Sequence, residues 1–270
     1  MQKGPKIGQG RTAEVYAWGE DRILKLYQSW MPGFLVEQEF TVTRAAQTAG
    51  VPVPATEELV ETDGRFGIVF ERIHGPSMLK GLETSPWTMV AVAHQMAELH
   101  ARINSCIAPS GLPSQRAQIE ESIAAAKDLP DAKKEAARRS LSRLPEGDRL
   151  CHGDFHPDNI LVSDHGLVVI DWFNGTCGNP HADVSRTSLL LKTGGLPPRT
   201  PPHMRLVLNA SRYMLYEQYL KHYLHLHPAR RSQIAAWELP LTAARLREVG
   251  DYPNEKAMLL KRLDVLLTQS

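Results

Sequence analysis

Cysteine is scarce in this chain, and what little there is has no pattern. Cys106, Cys151 and Cys177 are scattered, form no Cys-x-x-Cys pair and offer no disulfide framework, so they read as reduced thiols used for packing. An excess of one charge is missing too. Lys and Arg number 31 against 30 Asp and Glu, a formal +1 that favours neither nucleic acid nor a membrane surface as partner. No apolar run approaches the ~20 residues that span a bilayer. Met1–Lys6 lacks the apolar core of a signal peptide. The expectation is a cytoplasmic protein. Repeats and low-complexity tails are absent as well. What remains is 270 residues of ordinary composition, enough for one large domain or two lobes with real cores.

The stretch from His152 to Asp171 carries the strongest signal. It reads His152-Gly153-Asp154-Phe155-His156-Pro157-Asp158-Asn159, then the apolar run Ile160-Leu161-Val162, a turn over Ser163-Asp164-His165-Gly166, and a second apolar run Leu167-Val168-Val169-Ile170 ending at Asp171. Two short strands around a Gly-containing turn pair antiparallel. Asn159 and Asp171 therefore meet at the open end of the hairpin. A carboxylate beside an amide oxygen suits a hard cation such as Mg²⁺, which takes few protein ligands and fills its shell with substrate phosphates. Asp154, five residues upstream, can receive a proton from an attacking hydroxyl. Asp-x-x-x-x-Asn followed by a metal-binding Asp is the phosphoryl-transfer arrangement of the kinase superfamily.

Earlier residues supply the rest of a phosphate site. Strands are expected at Lys6–Gly8, Ala13–Trp18, Ile23–Tyr27, Glu58–Glu61 and Gly67–Ile73, with a helix from Phe34 toward Gly50. Gly8-Gln9-Gly10-Arg11-Thr12 is a glycine-rich turn whose backbone can approach anionic oxygens; an ordinary hairpin turn is the plainer alternative. Lys25 interrupts the apolar strand Ile23-Leu24-Lys25-Leu26, either snorkelling to solvent or reaching a phosphate. On the helix, Leu35, Glu39, Val42, Ala46 and Ala49 share a face, and a carboxylate on that face needs a cation. Lys25 is its natural partner, unless the helix is half exposed at that turn.

Beyond Gly75 the pattern turns helical, with helices expected over Trp87–Asn104, 115–127 and 131–144, and again after the proline-rich loop Leu196–Pro202. The predicted fold is α+β and bilobal. Residues 1–74 form a small β-rich lobe, residues 75–270 a larger, mainly helical one, joined near Glu71–Gly75.

Together these motifs resemble the protein-kinase-like fold, and more narrowly the aminoglycoside phosphotransferase and choline-kinase-like family. The narrower likeness rests on the His152–Leu161 segment, Val169-Ile170-Asp171-Trp172, Gly178-Asn179-Pro180 and Ala182-Asp183. The resemblance implies ATP and Mg²⁺ as cofactors and a hydroxyl on a small molecule as acceptor. It makes Asp154 the catalytic base or hydroxyl-orienting residue, Asn159 and Asp171 the metal ligands, and Lys25 the phosphate contact with Glu39 behind it. It implies that Ile23, Leu161 and Ile170 sandwich adenine, with backbone groups from Glu71 to Ile73 at its edge. Asp183 would brace the catalytic loop. Two positions depart from the pattern: Ala13 replaces the third loop glycine, leaving Thr12 or backbone groups to meet the phosphate, and Asn179 stands where many relatives have Asp.

Asp183 follows Asp171 by only twelve positions, too few for the extended activation segment of a protein kinase. The acceptor is therefore expected to be small. From Pro201 onward Arg and Lys outnumber Asp and Glu, which disfavours a polycationic antibiotic. Tyr213, Tyr216, Tyr219 and Tyr223 at helical spacing fit a core stripe better than a sugar site. His222, His225 and His227 match no tight helical ligand pair. A metallophosphoesterase leaves Gly8, Gly10 and Lys25 unexplained, and a non-catalytic nucleotide-binding module would be expected to have lost the base, a metal ligand or the lysine.

Overall fold

The computed structural model describes residues 3–195, 200–249 and 253–269. Strands β1 (Lys6–Gln9), β2 (Ala13–Ala17) and β3 (Arg22–Tyr27) precede helix α1 (Gly33–Thr48), and β4 (Thr56–Thr62) and β5 (Arg65–Glu71) follow it. They form one antiparallel sheet in the order β1-β2-β3-β5-β4. Alternation along β3 splits its side chains. Leu24 and Leu26 are buried with Trp18 and Val69 on one face, and Tyr27 is buried with Val36 of α1, Ile68 and Phe70 on the other. Lys25 shares the α1 face. The β4–β5 turn is made by Asp63 and Gly64, both at positive φ, the combination a two-residue hairpin needs.

The larger lobe begins with α2 (Met78–Thr84), α3 (Met89–Ser105), α4 (Gln115–Ala125) and α5 (Asp131–Ser142). Strand β6 (Arg149–Cys151) pairs with β9 (Thr176–Gly178), and between them lies the hairpin β7 (Ile160–Ser163) and β8 (Gly166–Val169). Helices α6 (Pro180–Thr193), α7 (Pro202–Leu226), α8 (Arg231–Ala235), α9 (Glu238–Arg245) and α10 (Pro253–Gln269) complete it. The fold is α+β and bilobal, as the sequence predicts. Residues 196–199 of the expected proline-rich loop lie outside the described residues. Ala93, Met96, Ala97 and Ile103 of α3 pack with Leu215, Tyr219 and Tyr223 of α7 in one core. A second core joins α4, α5, α9 and α10 through Ile123, Leu141, Leu241 and Leu263.

Helix α1 serves both lobes. Val36 packs under the sheet, whereas Val42 and Ala46 enter the large-lobe core beside Trp172. Contact there is so close that a Cβ on Gly175 would lie 2.4 Å from Val42 Cγ1. The buried stripe is Val36, Glu39, Val42, Thr43 and Ala46, with Leu35 and Ala49 only half buried. That is a rotation of the expected face, and Glu39 stays at its centre. Helix α2 and the β6–β9 pair were not expected; seven residues and three-residue strands are too short to show a period.

Candidate active site

Asp183 organises the segment that begins at His152 from beneath. It is wholly buried one turn into α6, where its carboxylate accepts the His152 and Gly153 backbone N–H groups at 2.8 Å each, His100 Nε2 at 2.9 Å and Asn104 Nδ2 at 3.1 Å. Tyr219 and Tyr223 back these partners through bonds to His100 Nδ1 (2.6 Å) and Asn104 Oδ1 (2.9 Å). The tyrosine stripe thus divides: Tyr219 and Tyr223 are core, whereas Tyr213 is exposed. Helix α6 is capped by Asn179, whose Oδ1 accepts the His181 N–H at 2.9 Å, so asparagine at that position has a structural use.

The segment turns sharply at Gly153, where φ is +76° and a Cβ would lie 2.4 Å from Asn174 O. His152 is buried and neutral in character, burial holding its pKa down against the pull of Asp183. Its Nε2 lies 3.1 Å from Ile170 O, and its Nδ1 accepts the Asp154 N–H at 3.2 Å. Asp154 presents a partly exposed carboxylate. Burial would raise its pKa, but His156 and Arg186 outweigh burial and hold it well below the usual carboxylate range. Asn159 Nδ2 donates to Asp154 O at 2.9 Å and approaches its Oδ2 at 3.5 Å.

The hairpin joins Asn159 to the strand end through the Ile170 N–H, which donates to Asn159 O at 3.0 Å. Asp171 follows at φ +63°, a left-handed conformation that costs a non-glycine residue about 1–3 kcal/mol. Its carboxylate turns toward the small lobe. Lys25 Nζ lies 2.8 Å from Asp171 Oδ1 and 2.7 Å from Glu39 Oε1. Burial works against the Lys25 ammonium, but Asp171 and Glu39 outweigh it and hold its pKa well above the ordinary value. Glu39 is 1% exposed and also accepts the Tyr27 hydroxyl. The snorkelling and half-exposed-helix alternatives therefore fall away.

The remaining predicted residues lie in these elements. Gly8 pairs with Val15, Gly10 N–H donates to Ala13 O at 2.8 Å, and Thr12 O accepts the Gln28 N–H at 2.9 Å. A Cβ at Gly8 or Gly10 would make only ordinary contacts, 3.4 Å to Val15 and 3.6 Å to Ala13 O. Nothing in the chain's own packing demands glycine there. Ile23 pairs with Phe70, Leu161 bridges to Ser77, and Ile23, Leu161 and Ile170 are all half buried. Glu71 N–H and Arg72 N–H are taken by Ala55 O (2.9 Å) and Asp21 O (2.8 Å), so neither can be the donor to a ligand edge. Among the described residues no group of three or more His, Cys, Asp or Glu side chains is assembled for a metal. Asp171 with Asn159 still fits Mg²⁺, which keeps waters and phosphate oxygens as ligands. It does not fit a two-metal hydrolase. Sequence reasoning missed Arg186 beside Asp154; its place three residues after Asp183, on the same side of a helix, was the available signal.

A five-stranded antiparallel sheet with a strand lysine bonded to a helix glutamate and to the end of the β7–β8 hairpin defines the protein-kinase-like fold. Solved structures share it. Amicoumacin kinase hAmiN, in complex with AMP-PNP, Ca²⁺ and Ami, aligns over 98% of this chain and 88% of its own (TM-score 0.66, 14% identity). Aminoglycoside phosphotransferase APH(2'')-Ib with ADP bound aligns over 99% and 92% (TM-score 0.60, 16% identity). Choline kinase from Cryptosporidium parvum aligns over 99% and 90% (TM-score 0.57, 13% identity). The chain belongs to the phosphotransferase enzyme family, whose model matches residues 4–199. Acyl-CoA dehydrogenase family member 10 of Mus musculus is 29% identical over 178 residues, 57% of this chain and 16% of that protein.

Proposed function

We propose that this protein is an ATP-dependent phosphotransferase that moves the γ-phosphoryl group to a hydroxyl of a small molecule. The observation that carries the reading is Lys25, bonded at once to Glu39 of α1 and to Asp171 at the hairpin end. Strand β3, helix α1 and the hairpin end, the last 146 residues from Lys25, converge there, one cation between two carboxylates at the junction of residues 1–74 with 75–270.

In this reading Lys25, oriented by Glu39, contacts the nucleotide phosphates, and the backbone from Gly8 through Gly10 to Thr12 covers them. Asn159 and Asp171 hold Mg²⁺, which when bound neutralises charge on the transferred group. Ile23, Leu161 and Ile170 flank the base, and with two of the Glu71–Ile73 donors committed, the Ile73 N–H is the donor that meets its edge. Asp154 accepts the proton of the acceptor hydroxyl or orients it. ADP and AMP-PNP in the structures of fold relatives support the nucleotide. The segment from Asp171 to Asp183 is one 3-10 turn, β9 and the start of α6, which leaves no platform for a peptide substrate. Among the described residues no helix is long and apolar enough to cross a membrane, and a cytoplasmic setting would supply the ATP.

Asp154→Ala tests the reading. Turnover of MgATP is expected to fall by about 10² or more, with nucleotide affinity measured by calorimetry nearly unchanged. Undiminished turnover would remove Asp154 from the chemistry, and loss of nucleotide affinity would point to a role in binding.

A further inference from the structure

A chain of polar contacts runs from the tip of the glycine-rich turn to Asp154, and one residue sits in its middle. Arg186, 6% exposed on α6, donates from Nε to Gly153 O at 3.1 Å. Its Nη2 lies 2.6 Å from Glu248 Oε2 and 3.6 Å from Asp154 Oδ1. Glu248 lies just after α9, and the same carboxylate oxygen also accepts from Arg245, which in turn binds the buried Glu255 of α10 at 2.9 and 3.0 Å. The main chain of Glu248 is used as well. Its carbonyl accepts Arg11 Nη1 at 2.7 Å, and Arg11 stands between Gly10 and Thr12.

The distances divide the labour. At 2.6 Å the Arg186–Glu248 contact is a charge-assisted hydrogen bond, whereas 3.6 Å to Asp154 is beyond hydrogen-bond reach. Arg186 thus faces the Asp154 carboxylate and steers it by charge without occupying its lone pairs, which stay available to a hydroxyl. A guanidinium this deeply buried needs a compensating carboxylate. Glu248 meets that need, and the position of Glu248 also sets the carbonyl that Arg11 finds.

We propose that Glu248 is a relay: through Arg186 it positions the Asp154 carboxylate, and through Arg11 it ties the glycine-rich turn to the large lobe, so that seating the turn and aligning the carboxylate are one event. The proposal rests on the phosphotransferase reading, in which the turn covers the nucleotide phosphates and Asp154 meets the acceptor. Arg186 and Glu248 are positioning residues and touch no substrate.

The probe is MgATP with water as the phosphoryl acceptor, with MgAMP-PNP binding measured by calorimetry. Glu248→Gln and Arg186→Met are each expected to lower kcat about tenfold or more while KM for MgATP moves less than about threefold. Arg186→Lys, keeping the charge but not the fork, should fall between Arg186→Met and the native enzyme. Arg11→Ala should weaken MgAMP-PNP binding. The decisive measurement is the double-mutant cycle of Arg11→Ala with Arg186→Met, two residues that both contact Glu248. A relay makes the combined kcat/KM loss depart from the product of the single losses by about threefold or more. Effects that simply multiply overturn the proposal, as does native kcat in Glu248→Gln. Should Arg186→Met or Glu248→Gln fail to fold by circular dichroism, the cycle of Arg11→Ala with Arg186→Lys decides by the same criterion. Asp154→Ala separates the two ideas: if it keeps native turnover, Asp154 leaves the chemistry and the part of the reading on which the relay rests falls, whereas an inactive Asp154→Ala beside a fully active Glu248→Gln removes only the relay.

Discussion

At the scale of single residues, two buried carboxylates do most to hold the site. Asp183 is the clearer. Burial would raise its pKa, but His100 and the backbone N–H groups of Gly153 and His152 outweigh burial and bring it down to about 2. Its folded pKa lies below the unfolded value, so between the two the unfolded chain binds more protons. The stability it contributes, roughly 2 kcal/mol, is complete above pH about 5 and is lost as pH falls through 4 toward 2. Asp183→Asn should therefore lower stability at pH 7 by about 3–5 kcal/mol, and the gap between variant and native protein should narrow as acid is added. Urea titrations at several pH values check this; parallel profiles would sink it. Lys25→Ala leaves Glu39, 1% exposed, with only the Tyr27 hydroxyl as a donor. It should weaken MgATP binding in calorimetry and destabilise the fold by about 3 kcal/mol, and Lys25→Arg should restore stability better than binding, because a planar fork cannot reproduce a point charge between two carboxylates.

At the scale of elements, the connection between lobes depends on one glycine. Gly75 has φ +150°, and a Cβ there would lie 1.9 Å from Val162 O of β7. Just after it, the Ser77 side chain accepts the Lys80 N–H and so caps α2, and its hydroxyl donates to Asp158 Oδ1 at 2.7 Å. The linker is thereby stitched to the hairpin. Gly75→Ala should cost several kcal/mol, more than the ~1 kcal/mol expected for Ser77→Ala, and denaturant midpoints for the two variants decide the order. None of this stitching was legible in the sequence, because a seven-residue helix shows no period and a close backbone approach leaves no pattern beyond the glycine itself. The hairpin was legible for the opposite reason. Two apolar runs around Ser163–Gly166 can pair in few ways, so the location of Asn159 and Asp171 followed from chain geometry. What chain geometry could not fix was where their side chains point: Asp171 turns to Lys25, Asn159 to Asp154.

At the scale of the whole molecule, the question is what charge the acceptor carries. Net charge near zero says nothing about the acceptor side, and the excess of Arg and Lys after Pro201 acquires meaning only in three dimensions. There the acidic residues of the closing helices are already partnered. Glu238 is bound by Lys192 and Arg262, Glu248 by Arg186 and Arg245, and Glu255 by Arg245. A carboxylate already paired with a cation offers little to an ammonium, since attraction to an incoming charge is offset by repulsion from the cation beside it. Among the described residues, Glu238, Glu248 and Glu255 would therefore attract a polycation weakly. The expected acceptor is a small alcohol of low charge. With MgATP supplied and a panel of neutral polyols, choline and aminoglycosides scored by mass spectrometry, the phosphoryl group should appear on a neutral polyol with the highest kcat/KM. That rate should change little between low and moderate salt, because steering by long-range charge is what salt screens. A tenfold preference for an aminoglycoside, falling steeply with salt, would overturn the charge argument while leaving the transfer chemistry in place. EDTA completes the panel: if Asp171 and Asn159 hold Mg²⁺ as proposed, it should abolish product from every acceptor, since Lys25 alone would be left to offset the charge on the transferred group.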